Sequence, residues 1–215
     1  MKGRIYLHPF WGSHSPLSSL SGLALIILCS TRFSFALFTS GALVWVYGLT
    51  ALAFSFTRRF MPARGRMIIL LFLSTFICGL FALLSGLLSP LLLMGAGFFL
   101  VLIPPCCLGS GFFEAADSLN SIDVIEIVSR ALIEAGVLAG IIMAFSLIRE
   151  PLGMGTLSIP GSVEGINELF YSNEVDGFFT IRILCTSAGG LLLLGYAIAL
   201  YRYLRRHIGG MEEIK

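Results

Sequence analysis

The chain has 215 residues, of which 57% are hydrophobic and only 12% are charged. Ordinary soluble domains contain about 45–50% apolar and about 25% charged residues, so this composition excludes a single water-soluble globule. A net charge of +2 is far from the basic balance of nucleic-acid-binding proteins, and we expect no nucleic-acid partner. Residues 67–113 contain no charged side chain and could cross a bilayer twice. The chain is therefore predicted to be a polytopic membrane protein.

Apolar runs with few or no charges predict six transmembrane helices and an all-α fold. The fourth run ends in Pro104 and Pro105 followed by glycines, which predicts a broken helix, and the short first run is a second candidate. Non-helical backbone at membrane depth is tolerated only inside protein or along a wet cavity, so broken spans indicate a binding site. The predicted spans are 17–31, 35–57, 67–88, 91–108, 124–148 and 180–201.

Basic residues set the predicted orientation of these spans. Under the positive-inside rule, loops rich in Lys and Arg lie in the cytoplasm. This rule places the segment between spans two and three and the segment after span six in the cytoplasm, and the acidic segment 149–179 outside. Six spans then leave both termini cytoplasmic. The basic residues concerned are Arg58, Arg59, Arg64 and Arg66 in the first segment and Arg202, Arg205 and Arg206 in the second.

Two cysteines indicate an internal symmetry. Cys29 lies on the outward-running first span, and Cys107 lies at the end of the inward-running fourth span. If spans one to three and four to six are halves of opposite topology, these cysteines occupy corresponding places and can meet near the midplane. The predicted architecture is therefore a 3+3 inverted repeat. Simple packing is the alternative for both cysteines, and it is the prediction for Cys78 and Cys185.

Three charged residues share one face of the fifth span. Glu126, Arg130 and Glu134 are spaced four residues apart, so their side chains lie above one another on a helix. The long uncharged stretch that follows Glu134 places this carboxylate within the bilayer, where ionisable residues are candidates for an ion or proton path. The alternative is a local Glu–Arg–Glu ion-pair ladder at the membrane interface.

A cluster of polar residues and glycines follows the fifth span. One interpretation is an outer-face turn that contacts a partner subunit. The other is the end of a helix, marked by glycines, with the arginine near the last carbonyls of its own helix. The residues concerned are Arg149, Glu150, Gly153, Gly155 and Thr156.

Three short segments carry a family resemblance. They are Leu28-Cys29 in the first span, residues 99–107 followed by Gly111 and Glu114, and residues 149–157. In this order they resemble three segments of the small membrane subunits of Rnf and Nqr electron-transport complexes, most closely the RnfE and NqrD type. These family segments are Leu-Cys-Pro, an apolar run with a cysteine three residues before Gly-Arg-Ala-Glu-Ala, and Arg-Glu-x-Leu-Gly-x-Gly-Thr-Leu. The similarity covers most of the chain.

The chain also departs from the family pattern. Ser30 stands where the family has proline after the first cysteine, and Phe112 stands where arginine follows the glycine. Pro105 and Cys106 replace small polar residues before the second cysteine. These changes leave the thiols but alter their surroundings, which tune the potential of an iron–sulfur cluster.

The resemblance implies that the chain pairs with a homologous six-helix subunit of opposite orientation, and that the two share a [2Fe-2S] cluster within the membrane. Aligned on Gly111 and Glu114, the ligands contributed here are Cys29 and Cys107. Four thiolates are needed, so the partner supplies the other two.

The resemblance further implies a subunit of the bacterial inner membrane that relays electrons between other subunits, coupled to Na⁺ or H⁺ movement. Enzymatic activity would then belong to the assembly. A competing interpretation is a cofactor-free secondary transporter or an assembly or scaffold protein, in which broken helices bind a solute and the cysteines pack.

Overall fold

A computed structural model of the chain describes residues 20–57, 65–109, 124–161, 166–171 and 182–209, which are mostly helical (89%). In chain order the elements are α1 (Leu20–Cys29), α2 (Phe33–Thr57), α3 (Arg66–Leu88), α4 (Pro90–Leu100), α5 (Ile103–Gly109), α6 (Val124–Met154), β1 (Thr156–Pro160), β2 (Ile166–Tyr171), a 3₁₀ turn (Arg182–Cys185) and α7 (Ser187–Gly209).

Four helical segments are long and apolar enough to cross a membrane, namely α2, α3, α4 together with α5, and α6. They agree with the predicted all-α membrane architecture. Helix α1 has ten residues and rises only about 15 Å, and the apolar part of α7, Ser187–Ala199, is also short. The count of six spans and the 3+3 repeat therefore stay predictions.

The interruption predicted for the fourth span is present between α4 and α5. The amides of Val101 and Leu102 bond to the carbonyls of Phe98 and Phe99 at 3.4 and 3.1 Å, which is the tighter 3₁₀ pattern. Pro104-Pro105 follows, and proline has no N–H to continue the helical ladder. The two prolines are therefore a local cause of the break, and they can be recognised in the sequence.

Cys78 of α3 compensates for part of this break. Pro104 leaves the carbonyl of Leu100 without its usual helical donor. The buried thiol of Cys78 donates to this carbonyl, with 3.3 Å between Sγ and the oxygen. Cys78 is predicted to serve packing, and in the structure its thiol also satisfies the backbone carbonyl of Leu100.

This contact predicts opposite outcomes for two substitutions of similar size. Cys78→Val removes the donor and should lower the free energy of unfolding by about 1–2 kcal/mol, since a buried carbonyl loses its partner. Cys78→Ser keeps a donor and should retain most of that stability. Unfolding of the purified protein in mixed detergent micelles would measure both variants, and equal losses would contradict the assigned bond.

Helix α2 forms the centre of the packing. Its most extensive neighbour is α6, which presents small buried residues such as Ala131 and Ala135 toward it. Small residues allow helix backbones to approach closely in a membrane protein. Tilted aromatic contacts join Phe38 of α2 to Phe81 of α3, and Phe35 of α2 to Phe99 of α4. Neighbouring helices therefore contact the first part of α2 from more than one side.

The fifth predicted span extends beyond residue 148, where the sequence predicts the span to end and the outer loop to begin. Helix α6 continues through Pro151 to Met154 and ends at Gly155, whose φ of 68° is the left-handed value that favours glycine. Strands β1 and β2 then pair antiparallel, with Ile159 opposite Asn167. The charged residues that suggested an exit from the membrane are instead buried within the protein.

Candidate functional site

Three buried thiols lie where the half-length helices α1 and α5 meet. Cys29 is the last residue of α1, Cys106 and Cys107 lie in α5, and none of the three has exposed surface. The Cys29 thiol lies near Cys106, and Thr39 of α2 lies beside it. The structure thus brings the end of α1 near Cys106 of α5.

Tyr47 of α2 contacts the α5 cysteines. Its hydroxyl donates to the carbonyl of Cys106 at 3.1 Å, and the Cys106 Sγ lies 3.7 Å from the same hydroxyl oxygen. Tyr47 also lies near enough to Cys107 for an electrostatic interaction. The carbonyl that it contacts is in the last turn of α5, at the negative end of the helix dipole. The sequence analysis did not find this residue, because a tyrosine within an apolar span carries no motif.

The three charged residues of α6 differ in what surrounds them. Arg130 and Glu126 form an ion pair with 2.5 Å between nitrogen and oxygen, at a partly exposed position. Glu134, one turn further on, is half-buried and lies near enough to Tyr47 and Cys107 for an electrostatic interaction. The Glu126–Arg130 part of the predicted ladder is thus present, and the role of Glu134 stays a prediction.

Arg149 is the largest fully buried side chain among the described residues. All five of its N–H groups have acceptors, which is the complete donor set of a guanidinium. One acceptor is a carbonyl in the last turn of α1, where a cation is favoured by the helix dipole. The expectation that Arg149 sits near the last carbonyls of its own helix was wrong. The acceptors, at 2.5–3.2 Å, are the carbonyls of Ile27, Leu184, Cys185 and Thr186 and the hydroxyl of Ser30.

Glu150 binds the start of helix α2. Its Oε2 accepts the amide of Phe33, the first residue of α2, at 2.6 Å. Amides at a helix start lack partners within the helix, and the helix dipole favours an anion there. Arg149 therefore holds the end of α1, and Glu150 holds the start of α2. We call these two residues the helix-end clamp.

Ser158 of β1 continues the contacts of the clamp at the start of α2. Its Oγ accepts the amide of Ser34 at 3.3 Å. Thr156 begins the same strand and is buried, so the β1–β2 hairpin is packed against α2. Gly155 follows the end of α6, as one interpretation expects, whereas Gly153 lies inside the helix, and contact with a partner subunit stays a prediction.

Glycines allow the 3₁₀ turn to approach the clamp. A Cβ at Gly190 would lie 3.1 Å from the guanidinium atoms of Arg149, and a Cβ at Gly153 would lie 2.5 Å from the Sγ of Cys185. A Cβ at Gly189 would overlap the carbonyl oxygen of Ile183. Sequence analysis missed the Gly189-Gly190 pair, although adjacent glycines at the start of an apolar helix are a signal of close packing.

The thiols of this chain could supply only part of a [2Fe-2S] site. Such a cluster takes four thiolates, and the structure brings Cys29 near Cys106, the chain neighbour of Cys107. Within the described part of the chain, no three His, Cys, Asp or Glu side chains are arranged to hold a metal ion on their own. Further ligands would have to come from another chain. Gly111 and Glu114, which selected Cys107 in the sequence alignment, lie outside the described residues.

Comparison with family models and with curated proteins identifies no relative of the chain. No family model matches the chain, and no curated protein matches it. The resemblance to Rnf and Nqr membrane subunits therefore rests on the three sequence segments given above.

Proposed function

We propose that the chain is a membrane subunit of an Rnf/Nqr-like ion-translocating oxidoreductase. In this proposal Cys29 and Cys107 provide half of the ligands of a [2Fe-2S] cluster, and a homologous six-helix subunit provides the other half. The observation that supports it best is the meeting of two half-length helices, each of which carries a buried cysteine at or near its end. Broken helices that meet inside a membrane protein are typical of functional sites.

A bound [2Fe-2S] cluster supplies a one-electron relay at membrane depth. The surrounding residues of this chain hold the relay in place. The helix-end clamp fixes the turn that follows Cys29, because Arg149 bonds to Ile27 and Ser30 on either side of that cysteine. Apolar side chains bury the thiols and exclude water from them. Both features describe the isolated chain, in which α1 and α5 are in contact.

Coupling to ion movement has a candidate residue in Glu134. Glu134 lies near enough to Cys107 for an electrostatic interaction, so a change of charge at the thiol site alters the electrostatic potential at its carboxylate. An acidic residue within a membrane span is a default candidate for an Na⁺ or H⁺ path. Glu126 and Arg130 form their own exposed ion pair, and the proposal leaves them out of the path.

The burial of the thiols sets a condition on the proposal. Cys29 and Cys107 have no exposed surface in the isolated chain. Sharing a cluster with another subunit therefore requires α1 and α5 to separate in the assembled complex. Conformational change around broken helices is also what couples site occupancy to transport in many membrane proteins.

The experiment compares wild type with Cys107→Ala, each co-purified anaerobically with its native membrane partners. We expect the variant to assemble but to lose about two iron atoms and two acid-labile sulfides per complex, together with one two-iron EPR signal of the reduced state. Cys185→Ala, which changes a thiol away from α5, is the matched control and should keep both. Iron content and spectrum that do not differ between wild type and Cys107→Ala would refute the ligand assignment.

The second candidate is a cofactor-free membrane protein, a small transporter or a scaffold. Full burial of all three thiols favours this candidate, since buried free cysteine is common in simple packing. A cavity of about 450 Å³ between α3 and the α4–α5 break is lined mainly by apolar side chains such as Leu71, Leu93 and Val101. This lining suits an acyl chain better than a polar solute, which weighs against transport through that cavity. A cofactor-free protein would also work without a homologous partner.

A further inference from the structure

We infer that Tyr47 is a positioning residue for the thiols of α5: its hydroxyl holds the last turn of that helix and so fixes the direction of the Cys107 thiol. The inference rests on the proposed function, because it concerns the residue that orients a cluster ligand. Neither the sequence motifs nor the resemblance points to this position.

The geometry of Tyr47 suits this role. The residue is fully buried near the middle of α2, the helix that is packed from several sides. Its hydroxyl reaches the backbone carbonyl of Cys106 at 3.1 Å, immediately before Cys107 in the chain. A hydrogen bond from a fixed helix to a backbone atom restrains both neighbouring side chains. Tyr47 therefore acts on Cys107 through the backbone of α5.

Helix α5 needs such a restraint. It has only seven residues, and two of them are the prolines that remove backbone donors. Helices this short are not stable by themselves, because few hydrogen bonds offset the cost of ordering the backbone. Cys78 satisfies the carbonyl of Leu100 just before α5, and Tyr47 bonds within its last turn. Side chains of α3 and α2 thus bond to the backbone before α5 and within its last turn.

The hydroxyl also has an electrostatic consequence. Hydrogen bonds and dipoles near the sulfur ligands tune the reduction potential of an iron–sulfur cluster. The reduced state carries more negative charge, and a nearby O–H dipole that compensates a carbonyl favours that state. Removal of the Tyr47 hydroxyl should therefore make the cluster harder to reduce. A purely structural role in filling space would leave the potential unchanged, because phenylalanine fills nearly the same volume.

The test uses Tyr47→Phe in the co-purified complex, with Tyr196→Phe as the matched control. Tyr196 is 76% exposed on α7, so loss of its hydroxyl should change nothing. For Tyr47→Phe we expect unchanged iron and sulfide content, altered EPR g values and a lower midpoint potential. The expected change is about tenfold in the one-electron reduction equilibrium, which corresponds to about 59 mV.

Four results of this experiment are separable. Full iron content with an unchanged potential and spectrum would overturn the role of Tyr47 and leave the proposed function standing. A wild-type complex without the two-iron signal that depends on Cys107 would overturn both. A lower potential that persists when Cys106→Ala is added would support action through the backbone carbonyl. Disappearance of the shift in that background would place the effect on the Cys106 sulfur and overturn the inference.

A second measurement does not need the cluster. In membranes that carry the full chain with Cys106→Ala, Cys107 has no exposed surface and a maleimide reaches it only when α5 opens; mass spectrometry of its peptide separates this labelling from that of the other three cysteines. We expect labelling of Cys107 to be about fivefold faster when Tyr47→Phe is added, the factor that corresponds to one ordinary hydrogen bond lost from the closed state. Equal labelling rates would show that Tyr47 does not restrain α5.

Discussion

Substitution of Arg149 by methionine is expected to lower the free energy of unfolding by about 3–5 kcal/mol. The side chain is fully buried, and its five N–H groups satisfy acceptors from two separate parts of the chain, residues 27–30 and 184–186. Methionine fills much of the space but donates no hydrogen bond, so several buried carbonyls lose their partner together. Unfolding in mixed detergent micelles, followed by intrinsic fluorescence, would measure the loss.

Two further variants make this prediction specific. Arg149→Lys should recover only part of the stability, because an ammonium group has three donors at one point and cannot reach five acceptors. Arg130→Met removes an arginine from the same helix, but one whose ion pair with Glu126 is partly exposed. Such pairs contribute about 0.3–0.5 kcal/mol. If Arg149→Met and Arg130→Met unfold at the same detergent composition, the clamp is not the stabilising element described here.

Gly189→Ala is expected to cost about 3 kcal/mol, the second largest effect. An added Cβ would overlap the carbonyl oxygen of Ile183 and would lie 2.6 Å from the Cα of Leu184. Both obstacles are backbone atoms, so the 3₁₀ turn has to move as a whole. That turn contributes carbonyl acceptors to Arg149, and its displacement would disturb the clamp as well.

Gly195→Ala on the same helix is the control for this effect. No heavy atom lies within 4 Å of a Cβ placed there, and alanine favours a helix by up to about 1 kcal/mol over glycine. The two variants should therefore shift stability in opposite directions in the same micelle assay. A Gly189→Ala protein as stable as Gly195→Ala would mean that α7 and the 3₁₀ turn are not packed as closely as described.

Part of this architecture follows from local features of the sequence. The helix break before α5 could be predicted, because Pro104-Pro105 removes backbone donors wherever the chain lies. The pairing of Glu126 with Arg130 follows from helical spacing alone. Membrane insertion follows from composition, since an uncharged stretch such as 67–113 has no other stable environment. Each of these depends on residues near one another in the chain.

The extent of α6 and the partners of its charged residues were decided by the tertiary structure. From sequence, Arg149 and Glu150 appeared to mark the exit from the membrane, because an isolated charge is costly in an apolar environment. In the folded chain Arg149 bonds to Ile27, 122 positions earlier, and Glu150 bonds to Phe33, 117 positions earlier. These hydrogen bonds offset the free-energy cost of burying the two charged side chains, and α6 continues to Met154. No periodicity in the sequence could reveal such pairs.

The candidate site could likewise be predicted only in part from the sequence. The sequence determined that thiols occur beside helix breaks in an apolar chain, and a resemblance singled out Cys29 and Cys107. Only the fold placed Cys106 against Cys29 and brought Tyr47 to the backbone of α5. Hydrogen-bond partners inside a membrane are chosen by which unsatisfied groups the packing brings together, because no water is present to satisfy them. The sequence determines where unsatisfied hydrogen-bonding groups occur, and the packing of the helices determines which partner each of them contacts.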